Sequence, residues 1–406
     1  MRRPTVASVV SSQVLSVLLI LLPLLAVPWA FRPYTANVLA VYMIYGLLAM
    51  SLSLIWGYAG IMSFGQTAFF GIGAYAYGAI GLNLIKTTHQ THTALLGGLA
   101  AATLLAAVVG YFMFFGRISD VYLSIITMAL TLVLFAFTAS TGGDEWVIGV
   151  ARFGGFNGMF GQGESSQNIA NFQIPPVTLW LPGMVAPFEF KINRESAAGY
   201  YLVLGACVAV YALTRVLLRT RLGRVAVGIR ENEPRVASLG YDTRFYKLAL
   251  FAIAGAIAGL AGILFAAWGR FVNPDRFGLG FAASTVVYVL LGGRTTLLGG
   301  FVGAVIVGHL TSYLAEVIPF GTIPGDATPW GAFLMEATRR IVREAPLLVQ
   351  GAVLVGVVLL LEDGVTPPLF RLLQRHRRWA WWLLLPAVIL YLAHRVACQQ
   401  TDLCLF

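Results

Sequence analysis

Charged side chains are what this 406-residue chain has least of. Asp, Glu, Lys and Arg make up 11% of it, against roughly 25% in an average soluble domain. They are missing from whole windows rather than thinned throughout. None lies at 33–85, 87–116, 121–143 or 248–269. A helix needs about 20 largely apolar residues to cross a bilayer, and each window holds at least one such length. That excludes a soluble domain and sets the class as an all-α, polytopic membrane bundle. By the same length criterion the chain holds about 10–11 transmembrane helices. The run at 281–292 is short enough to be re-entrant.

Other scarcities exclude mechanisms. The only lysines are Lys86, Lys191 and Lys247. None sits in a Gly-Lys-Ser/Thr phosphate loop, so the chain does not hydrolyse ATP by that machinery. No span carries a central acidic or basic residue. Ion-coupled carriers commonly rely on such groups despite an insertion cost of about 2.5–3.5 kcal/mol. Their absence argues against that energy source, while leaving open sodium sites made of carbonyls and hydroxyls. His89 and His92 have no Cys, Asp or Glu beside them, so no metal site is expected. Asp144, Glu145 and Glu164 share one loop with neither His nor Cys, so no catalytic residue and no cofactor are assigned. Of the three cysteines, Cys207 is a mid-span packing residue. Cys398 and Cys404 fall outside, as a disulfide or as two free thiols.

What is present is placed by sign. Eight basic residues lie at 215–247 and four at 371–378, so two segments hold 12 of the chain's 27. Positive charge on short loops marks the cytoplasmic side. The net charge of +10 therefore reports topology and not a nucleic-acid partner. The run at 6–30 reads as a retained first span. The loop at 141–197 falls outside and the loop at 218–247 inside.

The inner loop has helix punctuation of its own. Asn232 or Glu233 can cap a helix with Pro234 in its first turn. Gly240 can end it in the left-handed conformation, and Asp242 or Thr243 can cap the next apolar helix. A short capped helix on the inner membrane face is a docking element for a soluble partner. The alternative is a solvated basic linker that only fixes orientation.

Glycine is abundant, at 44 residues, and stands at packing intervals in Gly255–xxx–Gly259 and Gly299–xxx–Gly303. Gly57, Gly60, Gly65, Ser63 and Gln66 instead cluster where one apolar run passes into the next. Non-helical backbone is tolerated within a membrane only inside protein or beside a cavity. This stretch is either a path-lining break or a plain turn between helices.

Several stretches resemble a known family. They are 56–75 (WGYAGIMSFGQTAFFGIGAY), 121–127 (VYLSIIT), 153–159 (FGGFNGM), Gly223-Arg224, 230–233 (RENE) through 239–241 (LGY), 246–248 (YKL), Asn273-Pro274 and 291–300 (LGGRTTLLGG). In that order they resemble the branched-chain amino-acid permeases of bacterial ABC importers, the LivM-like group that includes urea and short-amide permeases. The resemblance implies a multi-pass permease of the bacterial inner membrane, not an enzyme. It implies a sister permease, two ATP-binding subunits and a periplasmic solute-binding protein as partners, besides membrane lipid. Arg230, Glu231, Asn232, Glu233, Arg235 and Gly240 would form the coupling segment to the ATPase. Tyr58, Ser63, Gln66 and Asn157 are the candidates for the translocation path. The substrate reading leans to branched-chain or hydrophobic amino acids, with urea or short amides as the alternative and a stand-alone channel or carrier behind both. The permease domain is expected at 1–362, followed at 363–406 by a basic cytoplasmic segment and an extra apolar run. The family pattern has His where this chain has Gln66, and a shorter loop after Gly142.

Overall fold

A computed structural model describes residues 33–88, 90–161, 174–179, 188–190 and 197–317, with Leu24, Leu25, Pro28 and Gly351. The expected first span, most of the permease domain beyond Val317 and the 363–406 tail, with Cys398 and Cys404, lie outside these residues.

Nine α-helices lie within them. They are α1 (Pro33–Ala59), α2 (Gln66–Thr88), α3 (His92–Phe115), α4 (Asp120–Ser140), α5 (Ala197–Arg219), α6 (Arg221–Ser238), α7 (Thr243–Gly269), α8 (Leu279–Gly292) and α9 (Leu297–Val317). Six are long and apolar enough to cross a membrane. The short α8 and the following α9 are bent by 115° at a four-residue break and together make a seventh candidate. That is the physical outcome for the short run at 281–292. Fourteen residues rise only about 21 Å, so α8 turns back on α9 instead of crossing alone.

Helix α7 is the hub of the bundle, packed along α2 and α3 and touching α1. Small residues make this contact possible. A side chain on Gly255 or Gly259 would strike Ala106 or Ala102 of α3, and one on Gly262 would strike the Phe70 carbonyl of α2. The second interval works in the same way. Gly303 lies against the Tyr288 carbonyl, which lets α9 close on α8.

The two ends of the bundle differ. At one end, α6 lies between α5 and α7 as an amphipathic helix, burying Val225, Ala226, Ile229 and Val236. At the other end, the 141–197 loop supplies short antiparallel strands, β1 (Val147–Ile148), β2 (Ala151–Arg152) and β3 (Phe160–Gly161), with a second pair, β4 (Val177–Leu179) and β5 (Phe188–Phe190). Part of this loop is packed against the bundle. Met159, Ile174 and Val177 are buried beside Tyr75 and Tyr77 of α2, and Met159 N donates to Val272 O at 3.0 Å. Asp144, raised above as a carboxylate without an activating partner, is ion-paired with Arg152.

Candidate functional site

The α6 end of the bundle is organised by the capping residues. Asn232 takes an extended backbone conformation that interrupts α6, and its Oδ1 accepts from Arg235 N at 3.0 Å. Pro234 then sits in the first turn of the short distal helix, where no hydrogen bond needs its missing N–H. Gly240 ends the segment at φ +87, a conformation costly for a residue with a Cβ. Asp242 caps α7 by accepting from Arg244 N at 3.2 Å. Hydrogen bonds from the Arg244 side chain hold the Asp242 carboxyl below its usual range. Its contribution to stability is therefore present above the ordinary carboxylate pKa and is lost as pH falls through the lowered one. Replacing Asn232 with Ala should cost about 1 kcal/mol of local helix stability. Faster amide exchange at 233–240, with 243–269 unchanged, is the expected result.

The charges of this segment turn inward as well as outward. Glu233 pairs with Lys247 of α7 at 2.6 Å. Arg230 pairs with Glu231 at 2.5 Å, and its Nη1 donates to the carbonyl of Gly57 at 2.5 Å. The aliphatic part of Arg230 lies against Gly60, and the Arg294 carbonyl at the α8–α9 break lies against Gly57. One side chain thus joins the capped segment to the place where α1 ends. Arg235 is exposed.

Beyond Ala59 the chain does not leave the bundle. Gly60 takes φ +78, and residues 60–65 run back along α4 without helical structure. Phe64 N donates to Thr127 Oγ1 at 3.2 Å, and Ser124 Oγ donates to Met62 O at 3.0 Å. Helix α2 therefore begins inside the bundle. Its first residue, Gln66, meets Ser51, whose hydroxyl donates to Gln66 Oε1 at 3.0 Å. Ser51 stands eight residues before the end of α1, about 12 Å along its axis. Ser63 and Gln66 are each 1% exposed, and the Gln66 amide nitrogen and the Ser53 hydroxyl are buried without hydrogen-bond partners. An unpaired buried donor costs about 1–3 kcal/mol; the two lie on different sides of α1, since Ser51 meets Gln66 while the Ser53 hydroxyl faces Gly300 of α9.

The four path candidates do not form one cluster. Ser63 and Gln66 are both buried at the break, each with a different hydrogen-bond partner. Tyr58 is half-buried at the same inner end. Asn157 is exposed on a 3-10 turn, Gly155–Asn157, in the outer loop. Sequence reasoning passed over Ser51, Ser53 and Thr127, because a lone hydroxyl in an apolar run has no local mark of its destination. Among the described residues no group of three or more metal-ligating side chains occurs.

The family model for the branched-chain amino acid transport system permease component matches residues 34–358. The chain belongs to that family. Among its relatives, the high-affinity branched-chain amino acid transport system permease protein LivM of Escherichia coli K12 is 28% identical over 301 residues, 71% of this chain and 66% of that one. BraD, of the same description, from Pseudomonas aeruginosa is 22% identical over 74% of this chain and 90% of its own length. The probable branched-chain amino acid transport permease protein LivM of Methanocaldococcus jannaschii is 24% identical over 62% and 72%. The chain thus spans just under two thirds of the Escherichia coli relative's length. No solved structure matches. Family members are transport permeases, and the buried break at 60–66 and the capped segment at 232–240 both lie within the matched range.

Proposed function

We propose that this chain is the transmembrane permease subunit of an ABC importer for branched-chain or other hydrophobic amino acids. It would work in a bacterial inner membrane with a sister permease, two ATP-binding subunits and a periplasmic solute-binding protein. The observation that carries the reading is the Arg230–Gly57 link. A capped segment fit to receive an ATPase is tied by one side chain to a non-helical break inside a bundle with no energy-converting motif of its own.

In this reading Arg230, Glu231, Asn232, Glu233, Arg235 and Gly240 form the coupling segment. The distal helix rests on the ATPase, while Arg230 and the Glu233–Lys247 pair transmit its movement to α1 and α7. Ser63 and Gln66 line the path at the break. Tyr58 lies at its inner mouth and Asn157 at its outer one. Gln66→Leu keeps a similar volume and removes the amide, and should slow uptake without preventing assembly.

The test is uptake of radiolabelled leucine into proteoliposomes. With the partner subunits and binding protein present, uptake should require ATP. Leucine flux through the purified single chain without ATP would overturn the proposal, as would the complete transporter moving urea and not leucine.

A further inference from the structure

No span has a charged residue at its centre, yet the fold brings one there from the side. Arg276 belongs to the short 3-10 turn Pro274–Phe277 between α7 and α8. Its Nη1 donates to the Tyr45 hydroxyl at 3.0 Å. Tyr45 stands twelve residues into the 27-residue α1, roughly 18 Å along the axis and near its middle. The turn therefore dips into the bundle, and Phe277 packs on Tyr75 of α2, with ring centroids 5.6 Å apart.

Rings surround the guanidinium. Its carbon lies 4.9 Å from the centroid of Phe265 and 5.2 Å from that of Phe281. Phe70 meets both of those phenylalanines, at 5.6 and 5.3 Å. Tyr45 stacks on Tyr288 at 6.5 Å. Nε of Arg276 is buried with no hydrogen-bond partner. Among the described residues no carboxylate pairs with Arg276. Its neighbour Asp275 accepts from the Asn273 amide at 2.6 Å instead.

A half-buried cation with an unpartnered Nε and no counter-charge is incompletely compensated, and ring faces and one phenol supply only part of what it lacks. A mobile anion would complete it. The guanidinium is a rigid fork of donors that matches a carboxylate. The cage is also open, since Tyr45, Phe265, Phe281 and Arg276 are each only partly buried. Its walls are flat and apolar, as a branched aliphatic side chain requires.

We propose that Arg276 and the ring cage form a substrate subsite in the outer half of the permease. There the guanidinium holds the α-carboxylate of the amino acid, and Phe70, Phe265 and Phe281 hold its apolar side chain. Tyr45 positions the guanidinium. The inference rests on the branched-chain amino-acid reading above. It adds to that reading that selection for a carboxylate is made within this chain, independently of the binding protein.

The experiment uses the assembled transporter in nanodiscs, without binding protein, and measures tritiated leucine binding. The competitors are 4-methylpentanoate, which has the carboxylate and no amine, and isopentylamine, which has the amine and no carboxylate. The carboxylate should compete at least about tenfold better than the amine, the scale of one charge-assisted contact. Arg276→Gln should weaken leucine binding by a similar factor. Arg276→Lys should retain part of the binding. Should Arg276→Gln fail to assemble, the order of the competitors on the wild-type complex and the Arg276→Lys affinity decide the matter.

Equal competition by acid and amine overturns the subsite, as does wild-type affinity in Arg276→Gln. So does an absence of leucine binding by a complex that imports leucine. A complex that imports no leucine even with its binding protein overturns the amino-acid reading itself, so the two failures are distinguishable.

Discussion

Arg230→Glu should leave ATP hydrolysis running while uptake falls by at least about tenfold. The side chain makes a charge-assisted hydrogen bond to the Gly57 carbonyl at 2.5 Å, and such bonds are worth about 1.5–3 kcal/mol. Reversing the charge removes that bond, sets a carboxylate against a carbonyl oxygen and places it beside Glu231. The distal helix keeps its own cap at Asn232 and its pair between Glu233 and Lys247, so the surface proposed to meet the ATPase survives. What is lost is the tie between that surface and the break at 57–66. The measurement is ATP hydrolysed per leucine imported in proteoliposomes. The ratio should rise sharply for Arg230→Glu and stay near the wild-type value for Arg224→Glu, whose Nη1 reaches only the Arg219 carbonyl at 3.2 Å. An unchanged ratio in Arg230→Glu would remove this side chain from the coupling route.

Gly262→Leu is expected to have the largest effect on the fold. A Cβ at this position would overlap the Phe70 carbonyl, and a backbone atom cannot rotate away as a side chain can. Helix α2 would have to separate from α7, opening the contact that also involves Gly259 and Gly73. Overpacking typically costs about 1–3 kcal/mol and sometimes more. A clash between two backbones belongs at the upper end of that range. Gly205→Leu supplies the comparison, since nothing lies within 4 Å of its added Cβ. Thermal melts of the detergent-solubilised chain, followed by size-exclusion chromatography, should show Gly262→Leu melting well below wild type and Gly205→Leu close to it. Similar melting of the two variants would mean that α2 and α7 do not depend on close approach.

Much of the fold was legible because its signals are local. Charge-free windows delimit spans by length alone. Pro234, Gly240 and Asp242 punctuate helices through their own backbone chemistry, and the structure finds all three in the expected roles. The glycine intervals forecast close helix packing, though not which helix would meet which. The path candidates were legible only in part. Ser63 and Gln66 are both buried at the break, because a run of Gly, Ser and Gln between two apolar stretches is locally unfit for helix. Asn157 lies apart from them on an outer turn, and its residue type alone did not indicate that.

Sequence by itself determined that this chain crosses a membrane many times, and that it has neither a phosphate loop nor a charged residue written into a span. Those properties depend on composition within one window, and hydrophobic transfer acts on each window separately. Tertiary structure alone decided that Arg230 reaches back to Gly57, that residues 60–65 climb into the bundle, and that Arg276 enters its centre from a flanking turn. Each of these depends on which helices become neighbours. A long side chain or a short loop can be drawn across that distance, and its destination is set by partners far away in sequence.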